Sequence, residues 1–329
     1  MVLVLLIVIC ALVFDFINGF HDTANAIATV VSTRVLSPRT AILMSASLNF
    51  VGALCFTKVA ETIAKGLVTG ATQPVILAAI AGAIVWNLIT WYFGIPSSSS
   101  HALVGGLIGA SLGRAGTNAI LWTGVRDKVL IPLVGSPVAG LIIGLILMGI
   151  ITAVFANRPA GSTGKLFRGL QIISSAFMSF AHGSNDAQKS MGIITLALAS
   201  YSGHSLAKAP IPLWVKFACA VAMAMGTSIG GWRIIKTMGH KIMRLEPVHG
   251  FAAETTASLV ILYATLTGTT VSTTHVISGS IFGVGVAKRV SAVRWQVALN
   301  MIFAWILTIP AAGSVAAACY YGLHALGVR

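Results

Sequence analysis

Asp22 and Asp186 sit inside long apolar runs, each beside a glycine and amide side chains: Asn18 and Asn25 around the first, Asn185 and Gln188 around the second. The segments Phe16–Asp22 and Phe180–Asp186 align with Phe, Gly and Asp in register. Asp15 and Glu254 are the other acids within or at the edge of apolar sequence, out of only seven in the chain. A charged side chain at membrane depth costs about 3 kcal/mol or more unless it faces a polar cavity, a partner or a bound ion. The pairing of carboxylates with amides at a glycine therefore predicts helices that break at each Asp motif and expose carbonyl oxygens. Carboxylate, amide and carbonyl oxygens are hard donors of the kind a sodium ion accepts. The plainer alternative is that each Asp only caps the second part of a broken helix.

A second repeated element follows each Asp motif. Gly94 through Ser97, Ser98, Ser99 and Ser100 to His101, then Gly105 and Gly109, matches Gly268 through Ser272, Thr273 and Thr274 to His275, then Gly279 and Gly283. Each hydroxyl run precedes an apolar helical arm, so it stands where a helix N-terminus leaves N–H groups unbonded. Hydroxyl donors, free N–H groups and the positive end of a helix dipole together bind an anion without a full positive charge. Two such ends aimed at one point suit a tetrahedral oxyanion. The alternative is that the hydroxyls merely satisfy backbone at two hairpin tips. His101 and His275 read as orienting hydrogen-bonding groups rather than proton carriers or metal ligands.

The elements that must position these residues are membrane helices. The chain is 57% hydrophobic and 9% charged, too poor in polar surface for a water-soluble globule. Runs such as 135–156 hold no ionisable residue and are long enough to cross roughly 30 Å of hydrocarbon as helix. Strand-like alternation is absent. The net charge of +14 comes from Lys and Arg dispersed between apolar runs, which excludes a nucleic-acid-binding face. Cys10, Cys55, Cys219 and Cys319 lie in apolar segments without metal-type spacing and read as packing residues. No Lys or Arg precedes Arg34, so the first segment reads as a retained membrane helix rather than a cleaved signal.

The two motifs recur in the same order in each half, which predicts an all-α polytopic membrane protein of two repeats. Residues 1–157 form the first, 158–169 a cytoplasmic linker and 170–329 the second, together one transport unit. Each half is expected to hold a helix broken at Asp (2–33; 170–200) and an ordinary helix (40–57; 212–232). A re-entrant hairpin (74–95 with 101–112; 251–266 with 275–286) and a closing helix (131–156; 295–320) follow. Counting the hairpin as no net crossing, each half crosses three times, which inverts the second relative to the first. With both termini outside, twelve basic residues fall in cytoplasmic loops, against Lys58, Lys65, Arg114, Arg126, Lys128, Lys208, Lys216 and Arg329 outside. That bias agrees with the positive-inside rule.

The stretches Gly19–Ala26, His182–Lys189 and Val271–His275 resemble the signatures of the inorganic phosphate transporter (PiT) family, in its bacterial low-affinity permease form. Gly250–Glu254 resembles a further element of that family in which the glutamate matters for transport. The resemblance covers nearly the whole chain, which lacks the large cytoplasmic insertion of animal members. It implies an inverted-repeat fold in the bacterial cytoplasmic membrane, often dimeric, that carries inorganic phosphate with a cation. The phosphate set it implies is Asp22, Thr23, Ser97, Ser98, Ser99, Ser100, Asp186, Gln188, Lys189, Ser272, Thr273 and Thr274. The cation set is Asn18, Asp22, Asn25, Asn185, Asp186 and Glu254. No resident cofactor or metal is implied, and no nucleic-acid partner; the lipid bilayer, phosphate and a monovalent cation are the partners.

One position departs from the pattern: Lys189 stands where Asn25 stands in the first motif and where animal relatives carry asparagine. An ammonium there could replace a second sodium beside Asp186, neutralising it permanently or by titration, and so favour coupling to protons or transport as a metal-phosphate. Lys189 could instead snorkel away or pair with phosphate. Three other readings compete. An intramembrane hydrolase would use Ser97–Ser100 beside His101, but there is neither a G-x-S-x-G elbow nor an H-E-x-x-H pair, and the Ser/His element is doubled. A passive anion channel has no need of buried carboxylates. A sulfate permease shares the geometry, but hydrogen phosphate donates a hydrogen bond to a carboxylate and sulfate does not.

Overall fold

A computed structural model describes residues 1–65, 67–202 and 211–328. Lys208, Arg329 and the side chain of Lys65, all used in the charge tally, lie outside the described residues. The chain is helical, without named strands among the described residues. The first half holds α1 (Val2–Ser32), α2 (Pro38–Cys55), α3 (Lys58–Lys65), α4 (Gln73–Phe93), α5 (Ser99–Ala115), the single turn α6 (Trp122–Val125) and α7 (Ile131–Phe155). The second holds α8 (Ala160–Ser202), α9 (Leu213–Ile229), α10 (Trp232–Lys236), α11 (Pro247–Thr267), α12 (Thr273–Lys288) and α13 (Trp295–Ala325). Four stretches, Val2–Ser32, Gln73–Phe93, Trp122–Phe155 and Trp295–Ala325, are long and apolar enough to span a membrane. Two bent pairs raise the number to six among the described residues.

The breaks fall elsewhere than the sequence predicts. α1 and α8 run as helix straight through Asp22 and Asp186. The sharp bends come where the ordinary helices expected at 40–57 and 212–232 end, 69° between α2 and α3 and 60° between α9 and α10. At the second of these Gly230 takes φ +76°, which ends α9 at no steric cost. The glycines of the Asp motifs serve packing instead. A Cβ on Gly19 would collide with the backbone of α9 at Met223 and Gly226, and one on Gly183 with the backbone of α2 at Asn49. Small residues let membrane helices approach this closely, which gains dispersion contact where lipid supplies no hydrophobic drive.

The expected linker at 158–169 is helical from Ala160 onward and forms the first turns of α8. The Ser162 and Thr163 hydroxyls donate to the Pro159 carbonyl, which satisfies backbone at that end.

Both hairpins have the same construction. α4 ends at Gly94 (φ +65°) and α11 at Gly268 (φ +71°), both left-handed caps. α5 then begins behind Ser98, whose Oγ accepts from the His101 N–H at 3.1 Å, and α12 behind Ser272, whose Oγ accepts from the His275 N–H at 3.2 Å. Capping by the hydroxyl runs is therefore as expected.

Packing exchanges the halves. Gly105 and Gly109 of α5 seat on Ile309 and Gly313 of α13, while Gly279 and Gly283 of α12 seat on Pro137 and Leu141 of α7. α1 and α8 lie side by side in opposite directions: Thr33 contacts Gln171, Ala26 contacts Ser175, and Asp22 meets His182 and Asp186.

Candidate functional site

The α1–α8 pair places both aspartates between the two hairpin tips, and each carboxylate is held by the matched tip hydroxyl. Ser99 Oγ donates to Asp22 Oδ2 at 3.1 Å, and Thr273 Oγ1 donates to Asp186 Oδ2 at 3.1 Å. The tips also reach across the halves. Asn25 Nδ2 donates to Thr274 Oγ1 (2.9 Å) and Thr273 Oγ1 (3.2 Å), and Ser100 Oγ donates to the Val271 carbonyl (3.3 Å). Behind them the His101 and His275 rings lie 4.9 Å apart, so the first turns of α5 and α12 converge. Trp305 of α13 stacks on His275 at 4.0 Å and donates from Nε1 to the Pro96 carbonyl at 3.0 Å, fixing both tips.

The second partners of the two carboxylates differ. Asp22 Oδ1 accepts from His21 Nδ1 at 2.5 Å, and His21 Nε2 lies 3.0 Å from the Thr90 hydroxyl and 3.5 Å from that of Ser97. Asp186 Oδ1 accepts from the Lys189 ammonium, and His182 Nε2 lies 3.3 Å from Oδ2. Lys189 is fully buried in this pair, so the snorkelling alternative does not hold. One oxygen of Asp22, one of Asp186 and a ring nitrogen of His182 lie within 4.8 Å of one another, a donor set able to hold a cation.

Not all of the expected residues join this cluster. Thr23 turns to the Gly19 carbonyl (2.5 Å) and towards α9. Gln188 caps the start of α3, accepting from the Val59 N–H (2.8 Å) and donating to the Ser184 carbonyl, so its polar atoms are spent away from the tips. Ser98 and Ser272 use their hydroxyls as caps, and Ser97 donates to Thr90. Asn185 donates to Thr265 (3.1 Å). Asn18 is buried with neither amide atom hydrogen-bonded.

Glu254 forms a separate polar centre, accepting from Thr29 of α1 and from Ser174 and Gln171 of α8. His21 and His182 lie outside the expected set. Their signal in the sequence is spacing, one position before an aspartate and four before the other, the latter sharing a helix face with it. The expected carbonyl ligands are lost with the helix breaks, because the main chain of α1 and α8 stays helical.

The cluster is closed. None of the tip hydroxyls or the two aspartates is more than 3% exposed. The cluster has two carboxylates and one ammonium, so its formal charge is negative unless a histidine protonates or a cation binds.

The sequence matches the profile described as "Phosphate transporter family" over residues 18–316. It is 51% identical to a Bacillus subtilis protein named "Probable low-affinity inorganic phosphate transporter", with 98% of each chain covered. A Rhizobium meliloti protein of the same name is 48% identical over 94% of this chain and 93% of its own. Among solved structures, one titled "The sodium-dependent phosphate transporter" superposes with a TM-score of 0.89 over 99% of this chain and all of its own, at 24% identity.

Proposed function

Since the chain belongs to the phosphate transporter family and is an integral membrane transporter rather than an enzyme, we propose that it works as a secondary active symporter of inorganic phosphate and a cation. The observation that carries this reading is the pair of matched tip hydroxyls on matched aspartates, Ser99 on Asp22 and Thr273 on Asp186, at the convergence of two helix N-termini. The hydroxyls of Ser99, Ser100, Thr273 and Thr274, with the first N–H groups of α5 and α12, supply donors to phosphate oxygens. Asp22 and Asp186 supply acceptors for the proton that hydrogen phosphate carries. The relatives are named for phosphate, and this donor-plus-acceptor chemistry gives sulfate no advantage.

Symport follows from charge. An anion cannot approach two buried carboxylates cheaply when a single ammonium offsets them, because unscreened like charges repel strongly inside a protein. A cation that enters with the phosphate removes that cost, and the Asp22, His182 and Asp186 donors, with Asn25 beside them, are where it binds. The ion is a proton or sodium, or the anion enters as a metal-phosphate. Lys189 already occupies the second half's cation position, which favours protons over full sodium dependence.

The opposite run of α1 and α8 and the exchanged packing of hairpins and closing helices support an inverted repeat, and the bias of Lys and Arg between loops supports both termini outside the bacterial cytoplasmic membrane. The apolar outer faces leave room for a homodimer. Uptake of labelled phosphate into proteoliposomes, with sodium and pH gradients imposed separately and sulfate as competitor, tests the proposal. Gradient-driven accumulation blocked by Asp22→Asn is expected; downhill flux at channel rates without coupling, or preferential sulfate uptake, would overturn it.

A further inference from the structure

Asp15, Asn18, Asp22, Asn25 and Thr29 recur at steps of three and four and so share one face of α1. All five are buried. Three of them end on a partner: Asp22 on Ser99, Asn25 on the second hairpin tip, Thr29 on Glu254. Asp15 does not. It is wholly buried, and neither carboxylate oxygen has a hydrogen-bond partner. It lies about 10 Å from Asp22 along the helix axis, on the side away from Glu254.

The groups facing Asp15 are the Ser190 hydroxyl and, further off, the Asp186–Lys189 pair on α8, with the Cys219 thiol on α9. Ser190 Oγ is likewise buried without a partner. α4, which also packs on α1, has no ionisable side chain from Gln73 to Trp91. A bare carboxylate in such a place is costly, and neither a cap nor a salt bridge explains it.

We propose that Asp15 binds a co-transported proton at a second coupling site, completed by Ser190 and Cys219 and separate from the Asp22, His182 and Asp186 donors. This rests on the symport reading and adds a coupling residue to it. The donor set argues for a proton over an alkali metal ion. It offers one carboxylate, one hydroxyl and a thiol, with the unpartnered Asn18 amide one turn on as the one further oxygen, while the surrounding backbone carbonyls remain inside unbroken helices and the Lys189 ammonium repels a metal ion. A proton added to one oxygen removes the charge and creates a donor that Ser190 Oγ or Cys219 Sγ can accept, leaving the other oxygen to accept from the Ser190 O–H. Loading takes one proton from water on one side and unloading returns it on the other; no bond of phosphate is made or broken.

The test counts protons and labelled phosphate together in proteoliposomes of the full chain carrying an internal pH dye, under an imposed pH gradient and then a sodium gradient alone. Asp15→Asn is expected to lower the proton-to-phosphate ratio by one. Accumulation should then fall by about tenfold for each pH unit of gradient, which is what one proton contributes. Asp15→Glu is expected to keep the ratio and displace the pH dependence of uptake. An Asp15→Asn ratio equal to the unmodified protein's, or sodium-driven uptake with no proton moved, would overturn the assignment. So would loss of all transport in both variants, which would make Asp15 a structural residue. An unmodified protein that takes up no labelled phosphate would instead overturn the symport reading itself, and this assignment along with it.

Discussion

The Asp22 and Asp186 pockets are built from matched positions, yet they solve the problem of a buried carboxylate in different ways. Each accepts one tip hydroxyl at 3.1 Å. Beyond that, Asp22 leans on an imidazole, whereas Asp186 is locked to the ammonium of Lys189. The matched position in the first half, Asn25, spends its amide on the opposite hairpin tip. The amide at one matched position and the ammonium at the other therefore leave Asp22 without a cationic side chain of fixed charge and give Asp186 one. Two repeats can share a framework and still differ in the chemistry at matched positions.

Breaking the locked side should have the largest effect on the fold. Asp186→Asn strands a buried ammonium, and a loss of about 3–5 kcal/mol in unfolding free energy is expected, read as a lower midpoint in detergent. The double variant with Lys189→Asn should recover most of that loss, since the two residues form one unit. Asp22→Asn strands no cation, so it should leave a folded protein whose phosphate uptake falls to background. Lys189→Asn alone tests whether the ammonium stands in for an ion: uptake should become sodium-dependent, and an unchanged sodium response would sink that idea.

Smaller changes sharpen the comparison. Ser99→Ala removes one of two partners of Asp22 and should weaken phosphate uptake by the equivalent of about 1.5–3 kcal/mol. Thr273→Val should cost less, because Asp186 keeps Lys189 and His182. Gly183→Ala and Gly226→Ala force apart the two matched helix crossings, and each should lower the unfolding free energy by about 1–3 kcal/mol.

The smallest effect is expected outside the membrane, at Glu246. Partial burial pushes its carboxyl up, but the hydrogen bond from Lys288 and nearby positive charge outweigh this and hold it below the usual glutamate range. Its contribution is present above about pH 4.3 and lost as pH falls through the lowered value. An acid-stability profile of Lys288→Ala should differ from that of the unmodified protein by under about 1 kcal/mol, since the pair is exposed.

The repeat, the hairpins and their caps were legible because each rests on local chemistry: a glycine at positive φ, a hydroxyl three residues before an N–H. The continuity of α1 and α8 was not legible. Gly19 and Gly183 look alike as helix breakers and as contact points, and only the helix lying against them distinguishes the two. Gln188 illustrates the same limit. Its type suits a ligand, but the start of α3, more than a hundred residues earlier, claims it. His21 and His182 carried a signal only in their spacing from the aspartates, and Lys189 had several partners open to it in the sequence until its burial against Asp186 excluded snorkelling.

The exchange of packing partners also bears on how the chain is made. The first hairpin carries Ser99, yet the surface on which Gly105 and Gly109 rest belongs to α13, translated nearly two hundred residues later. Pro96, at that hairpin's tip, takes its hydrogen bond from Trp305 of the same helix. A nascent chain that has finished its first half has therefore inserted a hairpin that can rest on α1 but lacks the helix its glycines seat on, and it must hold that hairpin through nearly two hundred residues of further synthesis. Loss of α13 would thus be felt first at the hairpin of the other half, as a quality-control signal raised by residues translated long before.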